Sequence, residues 1–233
     1  MPVLSVKNLC KTYPAFSLKN VSFEIEKGSI MGFIGRNGAG KTTTLKSLLN
    51  LVTPDSGAIE FFDLPLKGNE AQIKQRIGYV VSTDGYYKRK KIGQITSVTK
   101  SFYENWDEEA YQHYLQVFKL DSQKSPGQLS EGMKVKYSIS LALSHKAEFL
   151  ILDEPTSGLD PISRAELLDI FNQLKAKGIS ILFSSHITTD LDKCADTITY
   201  IKQGSILYSG KTDAIGMSLD DFMLKNEKEE IHV

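Results

Sequence analysis

A glycine-rich segment at positions 35–42 carries the residue types and the spacing that phosphate chemistry requires. It reads Gly-Arg-Asn-Gly-Ala-Gly-Lys-Thr and fits the pattern G-x-x-x-x-G-K-[ST]. The glycines let the backbone turn until several N–H groups point at one phosphate, and a helix that starts near Lys41 adds partial positive charge at its N-terminus. Lys41 would contact the β- and γ-phosphate oxygens, and the Thr42 hydroxyl would ligate Mg²⁺. The alternative is a chance glycine turn before a helix.

We predict that this segment binds ATP. Its predicted nucleotide-binding residues are Gly35, Arg36, Asn37, Gly38, Ala39, Gly40, Lys41, Thr42 and Thr43.

Two carboxylates follow the apolar run Phe149–Leu152, which has the composition of a strand buried on both faces. In α/β sheets ligands bind beyond the carboxyl ends of strands, so Asp153 and Glu154 are expected in the same crevice as the phosphate segment. Asp153 suits a direct or indirect Mg²⁺ ligand, and Glu154 could accept a proton from an attacking water. The alternative is that these acids cap a helix before Pro155.

The surrounding elements are those that such a crevice needs. Alternating residues predict strands in the first 30 positions, and a further apolar strand leads through the glycine segment into a helix over 43–50. In the second half, the pattern predicts a helix from Pro161 to about Lys177, a strand over 179–184, and two strands on either side of Gln203-Gly204. The fold class is therefore α/β. With the phosphate segment, this order of elements resembles a P-loop NTPase core, which implies a mixed sheet flanked by helices and an N-terminal antiparallel β portion.

Residues 84–146 differ from the rest of the chain in composition and pattern, because they have helical periodicity and are rich in aromatic side chains. We expect an inserted helical subdomain there, an α/β core formed by 1–83 and 147–217, and a C-terminal helix and tail over 218–233. Tyr86, Tyr87, Phe102 or Tyr103 could line a groove for a helix of a membrane partner, or the aromatic residues could form the subdomain's own core. The basic run at 88–91 is a solvated face or lies near anionic lipid headgroups.

Composition excludes several classes of function. The chain has 28 Lys+Arg and 28 Asp+Glu, so it has no basic field that would attract nucleic acid. Cys10 and Cys194 lack metal-ligand spacing, and we expect reduced thiols in a cytoplasmic protein. No signal peptide is expected, and no apolar run approaches the roughly 18 residues that cross a bilayer. Any membrane role is expected to come through a partner.

With these motifs in order, the chain resembles the ATP-binding-cassette (ABC) ATPases over essentially its whole length. The segment 129–133 resembles the family signature, 157–160 resembles the D-loop, and the sequence Asp-Glu-Pro-Thr-Ser-Gly-Leu-Asp at 153–160 is more specific than the phosphate segment alone. His186 matches the switch histidine, and Tyr13 stands where these proteins stack an aromatic ring on adenine. His186 could instead be structural, and Tyr13 could simply cap the first sheet.

The resemblance implies roles for individual residues. Glu154, His186 and Lys41 would be catalytic, and Thr42 and Asp153 would hold Mg²⁺. Ser130, Glu131 and Gly132 would face the ATP of a second subunit, and Asp160 would belong to the D-loop. These roles imply an ATP-sandwiched dimer. Ser130 could equally be a plain helix N-cap, and both roles are compatible because a helix N-terminus is itself an anion site.

Two departures from the family pattern concern coupling. Relatives carry a glutamine after the Ile77-Gly78-Tyr79 strand, whereas this chain has Ser82 in that region. Met133 replaces the usual last glutamine of the signature, and Glu131 replaces a usual glycine. Ser130 and Gly132, the phosphate-facing pair, remain.

The resemblance implies an ATP-hydrolysing nucleotide-binding subunit that powers export through a separate membrane permease. The subunit would lie in the cytoplasm, peripheral on the inner face of the cell membrane, and would pair with an identical or a paralogous ATPase. The residues and their spacing, including the segment 105–109, are most similar to those of bacterial two-component exporters of peptides, antibiotics or toxins. An importer, a non-transport ABC ATPase and a regulatory ATP-binding cassette with weak hydrolysis are the alternatives.

Overall fold

The computed structural model describes residues 1–81 and 89–227. An antiparallel sheet of four strands has the order β2-β1-β4-β5. Its strands are β1 Pro2–Tyr13, β2 Phe16–Glu26, β4 Ser56–Phe61 and β5 Leu64–Pro65. Val21, Phe23 and Ile25 of β2 are buried in alternation, as the period of two predicts, whereas β1 buries the four consecutive residues 3–6.

A second sheet of six strands has the order β10-β9-β3-β8-β7-β6. Its strands are β3 Ile30–Ile34, β6 Ile77–Val81, β7 Phe149–Asp153, β8 Ser180–Ser185, β9 Thr197–Lys202 and β10 Ser205–Lys211. The pairs from β9 to β6 are all parallel, and β10 is antiparallel to β9. The carboxyl ends of β3, β8 and β7 therefore meet at one edge, in that order.

Eight α-helices connect and flank the sheets within the described residues. They are α1 Lys41–Leu48, α2 Leu66–Lys74, α3 Ile92–Thr99, α4 Glu108–Val117, α5 Glu131–Ser144, α6 Pro161–Ala176, α7 Thr188–Cys194 and α8 Leu219–Glu227. The helix predicted over 43–50 thus begins and ends two residues earlier. The longest of these helices has 16 residues, and no helix in the described ranges combines the length and the apolar composition needed to span a bilayer.

Three apolar clusters hold the elements together. The first fills the space between the two sheets, with α1 inside it, and the second packs α5, α6 and α7 on the opposite face of the six-stranded sheet. The third lies among α3, α4 and α5 and includes Tyr111, with Trp106 and Phe118 packed against it. The interpretation of most aromatic residues as a local core is therefore confirmed for these three. Phe102 is 70% exposed, and Tyr86 and Tyr87 lie outside the described residues.

Both cysteines are free thiols, as predicted. The fold class predicted from the sequence is correct: the second sheet is mixed, helices flank it, and the N-terminal part forms an antiparallel sheet. The strands β4 and β5 and the helix α2 were not anticipated, although the alternation around Ile59 and Phe61 is a recognisable strand signal.

Candidate functional site

The glycine segment joins β3 to α1 in a conformation that needs its glycines. Gly38 has φ +81° and Gly40 has φ +117°, both in the left-handed region. A Cβ on Gly40 would lie 2.7 Å from the Leu18 side chain and 2.9 Å from the Phe16 ring. The N-terminus of α1 therefore starts directly from a close contact with β2, and its free backbone N–H groups form an anion-binding position.

Lys41 is the cation at the centre of this turn. Its side chain is only 6% exposed, and its Nζ donates a hydrogen bond to the Gly35 carbonyl at 2.6 Å. The same Nζ lies 3.1 Å from Glu154 Oε1. A buried ammonium needs such partners because an unpaired charge in the interior is costly. A phosphate that reached Lys41 would replace Glu154 as its anionic partner.

Glu154 follows β7 and is held between two cationic or proton-bearing groups. Besides Lys41, its Oε2 lies 2.6 Å from Nδ1 of His186, whose side chain is 45% exposed. Glu154 has φ +51°, a left-handed conformation that is uncommon for a residue other than glycine and is found at functional sites. The backbone is therefore strained where a general base was predicted.

Asp153, the preceding acid, points toward Thr42. The Thr42 hydroxyl and Asp153 Oδ1 are 3.4 Å apart. Ser184 donates a hydrogen bond to the same Oδ1 at 2.7 Å and accepts one from the Glu154 backbone N–H at 3.0 Å. A hydroxyl and a carboxylate are the hard oxygen donors that Mg²⁺ prefers, with phosphate oxygens completing its shell. These residues fit a magnesium ion that arrives with a nucleotide.

A cavity of about 640 Å³ opens in front of these groups. It is lined by Ala15, Phe16, Arg36, Asn37, Gly38, Gly40, Lys41, Thr42, Thr43, Glu154, Ser157 and His186. A second cavity of about 490 Å³ adjoins the same turn, where Ala39, Lys202, Gln203 and Glu227 are among its lining residues. The structure thus brings the predicted phosphate-binding residues, the acids and the histidine together.

Tyr13 is not among the residues that line either cavity. It ends β1, is 38% exposed, and its ring centroid lies 5.7 Å from Lys11 Nζ. Phe16, at the start of β2, lines the cavity instead. The adenine-stacking role of Tyr13 stays a prediction, and Phe16 is an additional aromatic candidate that the sequence analysis did not single out.

Ser130, Glu131 and Gly132 do not line these cavities. Ser130 caps α5 by accepting a hydrogen bond from the Met133 backbone N–H at 3.3 Å, and Glu131 pairs with Lys134 at 2.6 Å. Gly132 is buried near Leu159, because a Cβ built on it would lie 3.7 Å from Leu159 Cδ2. The N-cap reading of Ser130 is confirmed, while the proposed contact with another subunit's nucleotide stays a prediction.

Asp160 also lies outside the cavities and caps α6. Its side chain accepts hydrogen bonds from the backbone N–H groups of Ile162 and Ser163, each at 3.0 Å. The Ser163 hydroxyl donates to it at 2.6 Å, and these bonds hold the pKa of Asp160 below its usual value. Asp160 is therefore a carboxylate at neutral pH, at an exposed corner after the turn at Gly158. Ser82 lies outside the described residues.

Known proteins give an independent description of the chain. Residues 18–157 match the family described as ABC transporter. Bacitracin transport ATP-binding protein BcrA of Bacillus licheniformis is 35% identical over 209 residues, which cover 88% of this chain and 68% of that protein. Linearmycin resistance ATP-binding protein LnrL of Bacillus subtilis is 33% identical over 218 residues, 91% of this chain and 70% of that protein.

Solved structures agree with this description. A structure of the ATP binding subunit of an ABC transporter is 30% identical, has a TM-score of 0.87 and covers 97% of this chain and 100% of that chain. A nucleotide-free ATP-binding cassette from an ABC transporter has a TM-score of 0.84 at 24% identity and covers 99% of this chain and 100% of that chain. The second likeness concerns the fold alone.

Proposed function

We propose that this chain, which belongs to the ABC transporter family as an ATP-binding subunit, hydrolyses MgATP at the site formed by Lys41, Glu154 and His186. This hydrolysis drives export through a membrane permease. The observation that carries the proposal is that Glu154 contacts both other residues. One of its carboxylate oxygens lies 3.1 Å from Lys41 Nζ and the other lies 2.6 Å from His186 Nδ1. A general base in this position, between a phosphate-binding lysine and a histidine, can activate a water molecule for attack on the γ-phosphorus.

The residues divide the hydrolysis between them. Glu154 accepts a proton from a water whose oxygen attacks the γ-phosphorus, and the bond to the β–γ bridging oxygen breaks to leave ADP. Lys41 and the backbone N–H groups before α1 stabilise negative charge on the phosphates. Thr42 and Asp153 would hold Mg²⁺, which neutralises phosphate charge when bound. His186 orients Glu154 and, on loss of that contact, can turn to the γ-phosphate.

A second ATPase subunit would complete each site. Ser130 is exposed at the N-terminus of α5, and this helix end attracts anions. Glu131 in the same first turn would repel a phosphate, but its pairing with Lys134 at 2.6 Å offsets part of that charge. We therefore assign Ser130, Glu131 and Gly132 to the nucleotide of the opposing subunit, and Asp160 to the contact between subunits.

We assign the transport step to a separate permease, because the chain is similar to the ATP-binding subunits of ABC transporters. The names of two similar proteins, which refer to bacitracin transport and linearmycin resistance, support an exporter of peptide or antibiotic-like compounds. The chain would then lie on the inner face of the cell membrane. We keep the division into an α/β core, 1–83 and 147–217, and a helical subdomain, 84–146, and the helices α3, α4 and α5 within the latter range support it.

A phosphate-release assay tests the hydrolytic function. The full-length chain should release phosphate from MgATP, and chelating Mg²⁺ with EDTA should abolish the release. Lys41→Ala should weaken ATP binding at least about tenfold in calorimetry, since a hydrogen bond to a charged group contributes roughly 1.5–3 kcal/mol. Lys100→Ala is the matched control, because Lys100 pairs with Glu108 at 3.1 Å and lines neither cavity. ATP binding by the wild type without any phosphate release would refute hydrolysis and favour a regulatory cassette.

A further inference from the structure

We propose that Arg164 is a positioning residue that links the turn at 157–160 to the segment that carries His186. Arg164 lies in the first turn of α6, where its backbone N–H donates to the Asp160 carbonyl at 3.0 Å. Its Nη2 donates to the Leu159 carbonyl at 3.4 Å, and its Nε lies 3.9 Å from Asp190 Oδ2. One guanidinium therefore touches the turn before α6 and an acid of α7.

Asp190 is well placed to pass a displacement on to His186. Its side chain is 1% exposed, so it cannot turn toward solvent. It lies in the first turn of α7, four residues after His186, and its backbone N–H donates to the Ile187 carbonyl at 3.3 Å. Asp190 thereby joins the buried end of Arg164 to the first turn of α7, which directly follows His186, so a shift of this turn would be passed to the backbone next to His186.

The two facing atoms of the pair are buried but not hydrogen-bonded, although the Arg164 side chain as a whole is 29% exposed. Arg164 Nε and Asp190 Oδ2 are both buried, and neither has a hydrogen-bond partner among the described residues. A charge-assisted N–H···O bond has a length of about 2.7–2.9 Å, so the pair is about 1 Å too long. Buried charged groups without such bonds are costly. A relative shift of α6 and α7 by about that distance would allow a new hydrogen bond to form, so the junction would have a second, more fully bonded arrangement.

The other end of the link reaches the signature segment. Leu159 contributes the carbonyl that Arg164 binds, and its side chain lies beside Gly132, 3.7 Å from the position of a Cβ built there. Movement of α5 against the turn would therefore be felt by Arg164. This inference depends on the proposed function. When the nucleotide of a second subunit binds Ser130, the turn at 157–160 shifts and the Arg164–Asp190 hydrogen bond forms. His186 then moves to the position from which it contacts the γ-phosphate.

The test is a double-mutant cycle in the full-length chain, using Arg164→Gln, Asp190→Asn and the double variant. At saturating MgATP each single variant should lower kcat about tenfold, a typical size for loss of coupling between two sites. The double variant should lose no more than either single one, because the residues act as a unit. The ATP Kd of each should stay within about twofold of wild type, since neither residue lines the cavities. Lys175→Gln is the matched control, because Lys175 also extends from α6 and pairs with Asp196, beyond α7, at 2.9 Å.

A second readout follows His186 itself. A non-hydrolysable ATP analogue with Mg²⁺ should protect His186 from diethylpyrocarbonate in the wild type and in Lys175→Gln, measured by mass spectrometry. Arg164→Gln should bind the analogue but lose most of this protection. If Arg164→Gln does not fold, Arg164→Lys, which keeps the charge but not the planar fork, should show the same loss.

The outcomes separate the link from the function on which it depends. Unchanged kcat and full His186 protection in Arg164→Gln, with only a lower melting temperature, would overturn the link and leave the ATPase proposal standing. The link would also be overturned if the fold-decrease in kcat of the double variant equalled the product of the decreases of the two single variants. A wild-type chain that neither binds nor hydrolyses MgATP would overturn both proposals together.

Discussion

Replacing Glu154 by glutamine should have opposite effects on ATP binding and on hydrolysis. The substitution keeps the size of the side chain and removes its charge. In the structure that charge lies 3.1 Å from the buried Lys41 ammonium and 2.6 Å from His186 Nδ1. An incoming phosphate has to displace the carboxylate from Lys41 and then bear its repulsion. Glutamine presents neither obstacle, but it cannot accept a proton from water.

The magnitude follows from the Lys41 contact. At 3.1 Å the Coulomb energy of two unit charges is about 5 kcal/mol at an effective dielectric constant of about 20, and desolvation offsets much of it. A charged hydrogen bond retains roughly 1.5–3 kcal/mol, and the amide of glutamine can still accept a weaker bond from Lys41. We therefore take about 1.4 kcal/mol as the gain, which is tenfold tighter ATP binding. Loss of the general base should slow hydrolysis about 10²–10⁴-fold.

Calorimetry with MgATP, phosphate release and gel filtration measure the three consequences. Glu154→Gln should bind ATP about tenfold more tightly, release almost no phosphate and elute as a dimer when MgATP is present. The matched control is Glu148→Gln, which makes the same chemical change just before β7, where Glu148 pairs with Arg76 at 2.6 Å. It should leave ATP affinity and turnover unchanged. For Glu154→Gln, weaker ATP binding, wild-type phosphate release, or monomers alone in MgATP would refute this account of Glu154.

Two further predictions concern stability. Burial lowers the pKa of His145, which stacks on Tyr103, to about 4 from its ordinary 6.5, so only the unfolded chain takes up this proton as the pH falls below 6.5. Urea denaturation should show a loss of about 2 kcal/mol between pH 7 and pH 5 from this group, and His145→Phe should flatten that slope; an equal slope in both proteins would contradict it. Because Glu154 has φ +51°, glycine should fit this position better than alanine. Glu154→Gly should have a higher melting temperature than Glu154→Ala, and its free energy of unfolding should be higher by about 1 kcal/mol. The reverse order would show that the backbone is unstrained.

The phosphate-binding turn could be predicted because its causes are local. Gly38 and Gly40 supply left-handed backbone, and Lys41 and Thr42 follow at fixed offsets. No distant residue has to be known to recognise the pattern. The acids after β7 were also predictable, since an apolar run that ends in two carboxylates places them at the carboxyl edge of a sheet.

Other parts of the site depend on packing between distant segments. Ser184 binds Asp153 only because β8 lies beside β7 in the register that pairs these two residues. Phe16 and Tyr13 lie close together in sequence, and only the path of the chain from β1 to β2 decides that Phe16 lines the cavity. The contact of Arg164 with Asp190 joins two helices, and neither residue has a sequence signal of its own.

Strand order explains why three residues from distant parts of the chain form one site. Lys41, His186 and Glu154 follow β3, β8 and β7, which are neighbours in that order in the sheet. His186 leaves the middle strand and therefore meets Glu154 from the strand beside it. Lys41 reaches Glu154 from two strands away, because the turn before α1 bends back over the sheet edge and directs the lysine side chain inward. No single βα unit contains all three residues, so the site forms only when β3, β8 and β7 pair in this order.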